Sequence, residues 1–109
     1  MTRPLESEIR ELHAQICQAL ADPTRILLLY ALVDSPKNVG ELAQELSLGQ
    51  PNVSRHLKVL RERGMATATR EGANVVYTLA DKRVIKALDL MREVLADQLA
   101  QRAQLAEAI

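Results

Sequence analysis

Apolar residues recur with helical spacing in several stretches of the chain, and two of these stretches flank a short turn near the middle. The spacing predicts helices over residues 5–20, 23–33, 38–46, 49–64 and 82–108. The helix over 23–33 is apolar on most of its surface, so it should lie at the centre of the core. Small, polar and β-branched residues over 66–70 and 75–79 flank turn residues and predict a β-hairpin.

Local signals at the helix ends agree with these boundaries. Asp22-Pro23 is a strong helix start, and Asn38 with Glu41 three residues later forms a capping box. Gly49 and Gly64 suit the two ends of the fourth helix. A short turn joins the third helix to the fourth, so the pair predicts a helix-turn-helix with the hairpin as its wing.

The fourth helix separates apolar from polar positions. Val53, Leu57 and Leu60 form one apolar face, whereas the opposite side has amide and hydroxyl groups first and positive charge beyond them. This order suits a helix whose N-terminal end enters the major groove, where Gln and Asn pair with adenine and Arg with guanine. A solvated amphipathic helix with a charged outer face is the alternative interpretation.

The candidate DNA-binding residues lie on this helix and on the wing. Ser54 and Arg55 are the favoured contacts, and Gln50 and Asn52 follow them. Phosphate contact is expected from Lys58, Arg61 and, near the tip of the wing, Arg70. His56 lies about 60° from the apolar face, so it is expected to be partly buried and to bond the backbone or a phosphate.

Length and charge refine this prediction. The 109 residues suffice for one domain over 1–109, and the net charge is zero. Within residues 50–70, however, five basic side chains face one acidic one, so the basic charge is local. No run is apolar and long enough to span a membrane, no signal-peptide pattern occurs, and the single cysteine fits a reducing compartment, which together predict a cytoplasmic protein.

Two apolar stripes are left without a partner in the chain. The first and last helices carry them: Leu5, Ile9, Leu12, Ile16 and Leu20, and Val84, Leu88, Met91, Leu95 and Leu99. These stripes predict a homodimer formed through the N- and C-terminal helices. The predicted fold is therefore mainly α with a small β-hairpin (α+β), a winged helix-turn-helix that dimerises through its terminal helices.

The same sequence also bears on other classes of function. Two histidines, one cysteine, no Gly-rich phosphate loop and no paired carboxylates argue against an enzyme, and no cofactor is predicted. The alternative is a metal or thiol sensor that uses His13 and Cys17, which lie four residues apart, together with the same residues of a dimer mate. The favoured interpretation places Cys17 in the interface and His13 at its rim. A winged-helix protein-interaction module is a further alternative, which salt-insensitive binding would support.

Several motifs in order resemble the ArsR/SmtB family of winged-helix repressors. They are Ala-Leu-Ala-Asp-Pro-Thr-Arg-Ile at 19–26, Glu-Leu-Ala at 41–43, Gln-Pro-Asn-Val-Ser-Arg-His-Leu-Lys-Val-Leu at 50–60, Arg-Glu-Gly at 70–72 and Val-Tyr at 76–77. The resemblance spans about residues 12–82 and implies a homodimeric regulator that binds an inverted repeat in double-stranded DNA. In such a family an inducer, often a metal ion, lowers DNA affinity.

The metal-binding positions of that family do not match this chain. Where its thiolate sensors carry cysteines in the third helix, residues 41–46 read Glu-Leu-Ala-Gln-Glu-Leu. The last helix begins Asp81-Lys82-Arg83 and no histidine follows His56, so the zinc-type site lacks imidazole. No metal site is predicted, and the inducer is unknown. Ala73 stands where the family often has a basic wing residue, which implies weaker wing contacts.

Overall fold

The computed structural model describes residues 2–108, which fold into five helices and a three-stranded antiparallel sheet. The helices are α1 (Glu6–Leu12), α2 (Pro23–Ala31), α3 (Val39–Leu46), α4 (Gln50–Glu62) and α5 (Arg83–Ala108), and a π-helical segment, His13–Cys17, continues α1. The strands are β1 (Lys37–Asn38), β2 (Ala66–Glu71) and β3 (Asn74–Leu79). The predicted fold class, a winged helix-turn-helix of mainly α structure, is confirmed.

Side-chain caps begin α2 and α3, as predicted. The Asp22 carboxylate accepts a hydrogen bond from the Thr24 N–H at 2.8 Å. The Asn38 side chain accepts from the Glu41 N–H at 2.8 Å, and the Glu41 carboxylate accepts from the Asn38 N–H at 3.0 Å. Each cap satisfies backbone donors that have no partner within the helix.

The turn between α3 and α4 depends on a left-handed residue. Ser47 adopts φ 56°, and the Leu48 N–H then reaches back to the Ala43 carbonyl at 2.9 Å. At the other end of α4, Gly64 adopts φ 75° and the Met65 N–H donates to the Leu60 carbonyl at 2.7 Å. The C-terminal ends of α3 and α4 thus both close with the bond pattern of a Schellman motif, which fixes where each helix stops.

The core forms where α2, α3 and α4 meet. Its fully buried large side chains come from these three helices: Leu28, Leu29, Leu42, Val53, Leu57 and Leu60. The predictions that α2 is central, and that α4 turns its apolar face inward, are confirmed. The helical residues 6–19, which include α1 and the π-helical segment, are called the first helical region below. Ala19 at its end and Ala66 of β2 close the same core.

The sheet has one strand more than the sequence indicated. The hairpin pairs β2 with β3 from Ala66 opposite Leu79 to Glu71 opposite Asn74, so the turn is shorter than predicted and consists of residues 72 and 73. Gly72 adopts φ 61°, as a tight hairpin turn requires. The two-residue β1 then pairs with the other side of β3. Two residues carry no alternating pattern, so only the tertiary pairing identifies this strand.

The first helical region differs from its prediction. It begins at Glu6 rather than at residue 5, and its helical hydrogen bonds widen to the π pattern over His13–Cys17. Helix α2 ends at Ala31, two residues before the predicted boundary. A π turn has no signature in residue spacing, and helix ends are set by local bonds that propensity does not resolve.

Only the outer parts of the two apolar stripes remain uncovered. Ile16, Leu20 and Val84 pack against the domain's own core, and Leu88 is buried within it. The other stripe residues are between 43% and 72% exposed: Leu5, Ile9, Leu12, Met91, Leu95 and Leu99. The expectation that both whole stripes face a partner was therefore too broad. None of the described helices combines the length and apolarity needed to cross a bilayer.

Replacing Asn38 by alanine tests the capping box. The Asn38→Ala variant loses the side-chain acceptor for the Glu41 N–H. We expect its free energy of unfolding to fall by about 1 kcal/mol, the usual cost of losing an N-cap. The measurement is urea unfolding followed by circular dichroism at one fixed protein concentration.

The matched control is Gln44→Ala, an exposed position later in α3. This variant should unfold within about 0.5 kcal/mol of the parent. An Asn38→Ala midpoint equal to that of the control would show that the capping box contributes nothing measurable.

Candidate DNA-binding surface

Burial of one face of α4 determines which side chains the helix presents outward. Val53, Leu57 and Leu60 are fully buried against α2, α3 and β2, so the helix cannot rotate about its axis without exposing them. The outward side then carries five exposed predicted contacts: Gln50, Ser54, Arg55, Lys58 and Arg61. Asn52 is half-buried at the edge of this face. The structure therefore brings together six of the eight predicted residues on one side of one helix.

Arg55 and Asn52 are joined on this surface. The Arg55 guanidinium donates to the Asn52 side-chain oxygen at 3.2 Å. The bond holds a long side chain over the first turns of α4 and leaves other guanidinium donors unused. Arginine presents its donors as a planar fork, which suits the paired acceptors of guanine. Arg55 and Asn52 are therefore the candidate base-reading pair on the helix.

A polar notch lies between the start of α4 and the wing. It has a volume of about 470 Å³, and Gln50 and Ser54 face Asn74 across it. Asn38 and Gly40, at the start of α3, form a further wall. Neutral donors and acceptors from α3, α4 and the wing thus surround a space open to solvent, as contacts to sugar and phosphate oxygens require.

A basic cleft lies toward the other end of α4. Lys58 and Arg61 line it together with Glu62 and, from β3, Tyr77, and its volume is about 450 Å³. The two cations suit a phosphate group, and the phenol of Tyr77 adds a possible hydrogen-bond donor. Arg70 lies on β2 opposite Val75, exposed on the wing two residues before the turn.

His56 has a different environment from the other candidates. It is half-buried, as expected, and its Nδ1 lies 3.3 Å from the Arg25 guanidinium of α2. Asp22 is close to both. Desolvation raises the pKa of the Asp22 carboxyl, but the Thr24 N–H bond and the nearby His56 and Arg25 outweigh it and leave the pKa below its usual value. His56 thus faces the protein interior as much as it faces the DNA-binding side.

Arg63 belongs to the basic run of the sequence but not to the outward face. Its guanidinium donates to the Ala14 carbonyl and, at 3.3 Å, to the Gln15 side-chain oxygen. It therefore points at the first helical region. The basic charge left for DNA comes from Arg55, Lys58, Arg61 and Arg70.

The side chains at the family's metal positions do not fit a metal ion. Asp81, the one family ligand retained before α5, accepts from Arg83 at 2.8 Å and 3.1 Å. The Arg83 side chain lowers the pKa of Asp81 to about 2, so this carboxylate is already charged and paired. In residues 2–108, no three His, Cys, Asp or Glu side chains converge on a common point. His13 and Cys17 are both exposed on the π-helical segment.

The fold and this surface define a winged helix-turn-helix DNA-binding protein. Residues 22–68 match the family model described as "Bacterial regulatory protein, arsR family". The HTH-type transcriptional regulator CmtR of Mycobacterium tuberculosis is 46% identical over 112 residues, covering 96% of this chain and 95% of that protein. Because the similarity extends over nearly the whole of both chains, this protein belongs to the ArsR/SmtB family of transcriptional regulators.

Solved structures agree with that assignment. The crystal structure of Mycobacterium tuberculosis Rv0081 has a TM-score of 0.76 and 34% identity, covering 94% of this chain and 99% of that one. The homodimeric winged helix-turn-helix DNA-binding domain of Mb0332 from Mycobacterium bovis has a TM-score of 0.75, covering 93% and 95%, and at 23% identity supports the fold alone. The predicted family is confirmed. The prediction that the protein is a DNA-binding transcriptional regulator rather than an enzyme is confirmed as well.

Some residues around this surface were not identified from the sequence. Asn74 and Tyr77 reach it from the hairpin, and Asn38 reaches it from the start of α3. Nothing in their sequence neighbourhoods marks them, because they approach α4 only after the sheet folds against it. The hairpin signal itself was the one clue available for Asn74 and Tyr77.

Replacing Arg55 by alanine tests the base-reading group. Arg55→Ala removes the exposed guanidinium fork and its bond to Asn52. We expect operator binding to weaken by about 1–3 kcal/mol, with reduced discrimination at one base pair of each half-site. Fluorescence anisotropy on operator duplexes and on their single-base variants measures both effects.

Lys86→Ala is the matched control, since it also removes one exposed positive charge but lies on α5. It should bind operator as the parent does. Equal affinities for Arg55→Ala and Lys86→Ala would remove Arg55 from the interface.

Proposed function

We propose that this regulator is a homodimeric repressor that binds an inverted-repeat operator, with α4 of each subunit in a major groove. The observation that carries the proposal is the division of α4 into a fully buried apolar face and an exposed polar and basic one. A guanidinium–amide pair over the first turns of α4, flanked by a polar notch and a basic cleft, supports the same proposal. The regulator would act in the cytoplasm, where bacterial DNA lies.

Each part of the surface has its own role in this proposal. Arg55, with Asn52, Gln50 and Ser54, reads base edges. Lys58 and Arg61 hold a phosphate in the cleft beside Tyr77, and Arg70 contacts the backbone or the minor groove from the wing. His56 contributes to DNA binding from the inner edge of α4, where it lies next to Arg25.

The exposed apolar residues supply the dimer. The apolar side chains at 43% exposure or more are Leu5 just before α1, Ile9 and Leu12 on α1, and Met91, Leu95 and Leu99 on α5. A cavity of about 420 Å³, with Leu20, Ile26 and Met91 among its walls, opens beside them. A second copy related by a two-fold axis covers such surfaces and places two α4 helices for the two half-sites of an inverted repeat. The homodimeric Mb0332 domain shares this fold.

The inducer differs from metal ions bound at the family's usual positions. Asp81 is engaged by Arg83, and residues 41–46 hold no thiolate. The proposed repressor therefore responds to another signal.

Selection from a random duplex library tests DNA binding directly. The enriched duplex should contain an inverted repeat whose half-sites lie about 34–36 Å apart, or a multiple of that distance. Anisotropy titrations should then show affinity that falls steeply with salt. Failure to enrich any sequence, or binding indifferent to salt, would contradict the proposed function and favour a protein-interaction module.

A charge on the exposed α5 stripe should separate the subunits. Leu95 is 50% exposed in the single chain, and the proposed dimer buries it. Leu95→Glu places an unpaired carboxylate there, so we expect the dimer dissociation constant to rise by at least about tenfold. Analytical ultracentrifugation over a range of protein concentrations measures this shift.

The control is Gln104→Glu, which adds the same charge nine residues later. At about 100° per residue, position 104 lies on the opposite side of α5 from Leu95. Gln104→Glu should leave the dimer intact. Dissociation by both variants, or by neither, would show that the stripe is not the interface.

A metal sensor built around His13 and Cys17 would leave its operator when it binds a metal ion, whereas the proposed function predicts no release by metal ions. We expect a panel of thiophilic and divalent metal ions to leave operator affinity unchanged, since the described ligands do not converge. Anisotropy with each ion, on the parent and on Cys17→Ser, measures this. Release by one ion that disappears in Cys17→Ser would establish a sensor built around His13 and Cys17 instead.

A further inference from the structure

Two arginines outside the DNA-binding face hold the end of the first helical region. Arg25 of α2 donates from Nε to the Ala19 carbonyl at 2.8 Å and from Nη2 to the Gln18 carbonyl at 2.9 Å. Arg63, the residue that follows α4, donates to the Ala14 carbonyl and to the Gln15 side chain. Both arginine residues are half-buried. Residues 14–19 are thus bonded at two separate places by guanidinium groups.

The chemistry of these contacts makes them stronger than ordinary surface bonds. Carbonyl groups near the C-terminal end of a helix carry the negative end of its dipole, and a guanidinium is a permanent cation. Hydrogen bonds to a charged donor are about twice as strong as neutral ones. Arg25 forms two of them from one rigid plane, which fixes direction as well as distance.

The same two arginines are also attached to α4, the proposed recognition helix. The third Arg25 contact is Nη1 to His56 Nδ1 at 3.3 Å. A guanidinium carries only donors, so Nδ1 of His56 is the acceptor of this hydrogen bond. Arg63 itself caps the C-terminal end of α4. The attachments are seven residues apart on the helix, or about 10 Å, so together they constrain its tilt as well as its position.

We propose that Arg25 and Arg63 are positioning residues that fix the recognition helix against the first helical region. This proposal rests on the proposed function. The outer part of that region carries the exposed residues Ile9 and Leu12, with Leu5 just before it, and is part of the proposed dimer interface. Packing of the two subunits is thereby transmitted to the orientation of α4, and a change at the interface changes how well the helix fits its half-site.

A positioning role predicts a pattern that loss of a phosphate contact does not. Misorienting α4 weakens the specific complex, in which base contacts require correct placement. A misoriented α4 still neutralises the same number of phosphates, so the dependence of DNA affinity on salt concentration does not change. Removing a phosphate contact instead weakens specific and non-specific binding together.

The test compares three variants on the enriched operator duplex and on a random-sequence duplex, titrated by anisotropy over a range of salt concentrations. Arg25→Lys keeps the charge but cannot donate in three directions from one plane, and Arg63→Gln removes the cationic tether. We expect each to weaken operator binding about 3- to 30-fold. Random-duplex affinity and the slope against log salt should stay at parent values.

Arg61→Gln is the matched control for Arg63→Gln, since it removes the same charge two residues earlier from the exposed face. It should weaken both duplexes and lower the salt slope by about 0.9 per subunit. A comparable loss of slope in Arg63→Gln would make Arg63 a phosphate contact and overturn the proposal, as would parent-like operator binding by Arg25→Lys. A parent protein that enriches no operator would instead overturn the proposed function.

Nitrogen NMR of the histidine rings separates positioning from simple loss of fold. The chain has two histidines, and the exposed His13 serves as an internal reference. In Arg25→Lys the His56 Nδ1 resonance should shift while His13 stays in place, with the circular dichroism spectrum unchanged. An unshifted His56 resonance would show that the Arg25 contact is absent in solution and overturn its part of the proposal.

Discussion

The burial of Val53, Leu57 and Leu60 is the interaction on which the rest of this structure depends. All three side chains are fully buried, and exposing any one of them would cost roughly 1.5–3 kcal/mol. That cost fixes the rotation of α4, and the rotation in turn decides that Arg55, Lys58 and Arg61 face outward. The outward presentation of these basic side chains is therefore a consequence of hydrophobic packing on the opposite side of the same helix.

Five arginines on α2, on and after α4, and on the wing form two groups with different surroundings. Arg55, Arg61 and Arg70 face solvent, where they are available to bases and phosphates. Arg25 and Arg63 turn toward the carbonyl groups of the first helical region, where half-burial strengthens their bonds. A net charge of zero hides this division, because position and not total charge determines what each cation does.

The terminal helices complete the core on one side and leave apolar residues exposed on the other. Their inner residues, such as Leu88 and Ala19, complete the core of one chain, whereas Leu95 and Leu99 leave a wide apolar surface open on α5. Where α5 meets α2, the Tyr30 hydroxyl donates to Asp89 at 2.6 Å and Arg92 lies over the tyrosine ring. Desolvation and the bond to Asp89 both raise the pKa of Tyr30 above its usual value. The junction thus holds α5 in place and leaves its apolar face exposed.

The sequence by itself determined the elements whose signals are local. Capping residues such as Asn38, the helical spacing of Val53, Leu57 and Leu60, and the β-branched run before Leu79 each act within a few residues, so they predicted the helix-turn-helix, the wing and the DNA-reading face. Tertiary structure alone decided what depends on distant partners. Strand β1 exists because β3 accepts it, Tyr77 reaches the basic cleft because the hairpin folds onto α4, and Arg63 leaves the DNA face because the Ala14 carbonyl lies within its reach. Residue spacing encodes which way a side chain points from its own helix, whereas the partner it meets depends on how the helices pack.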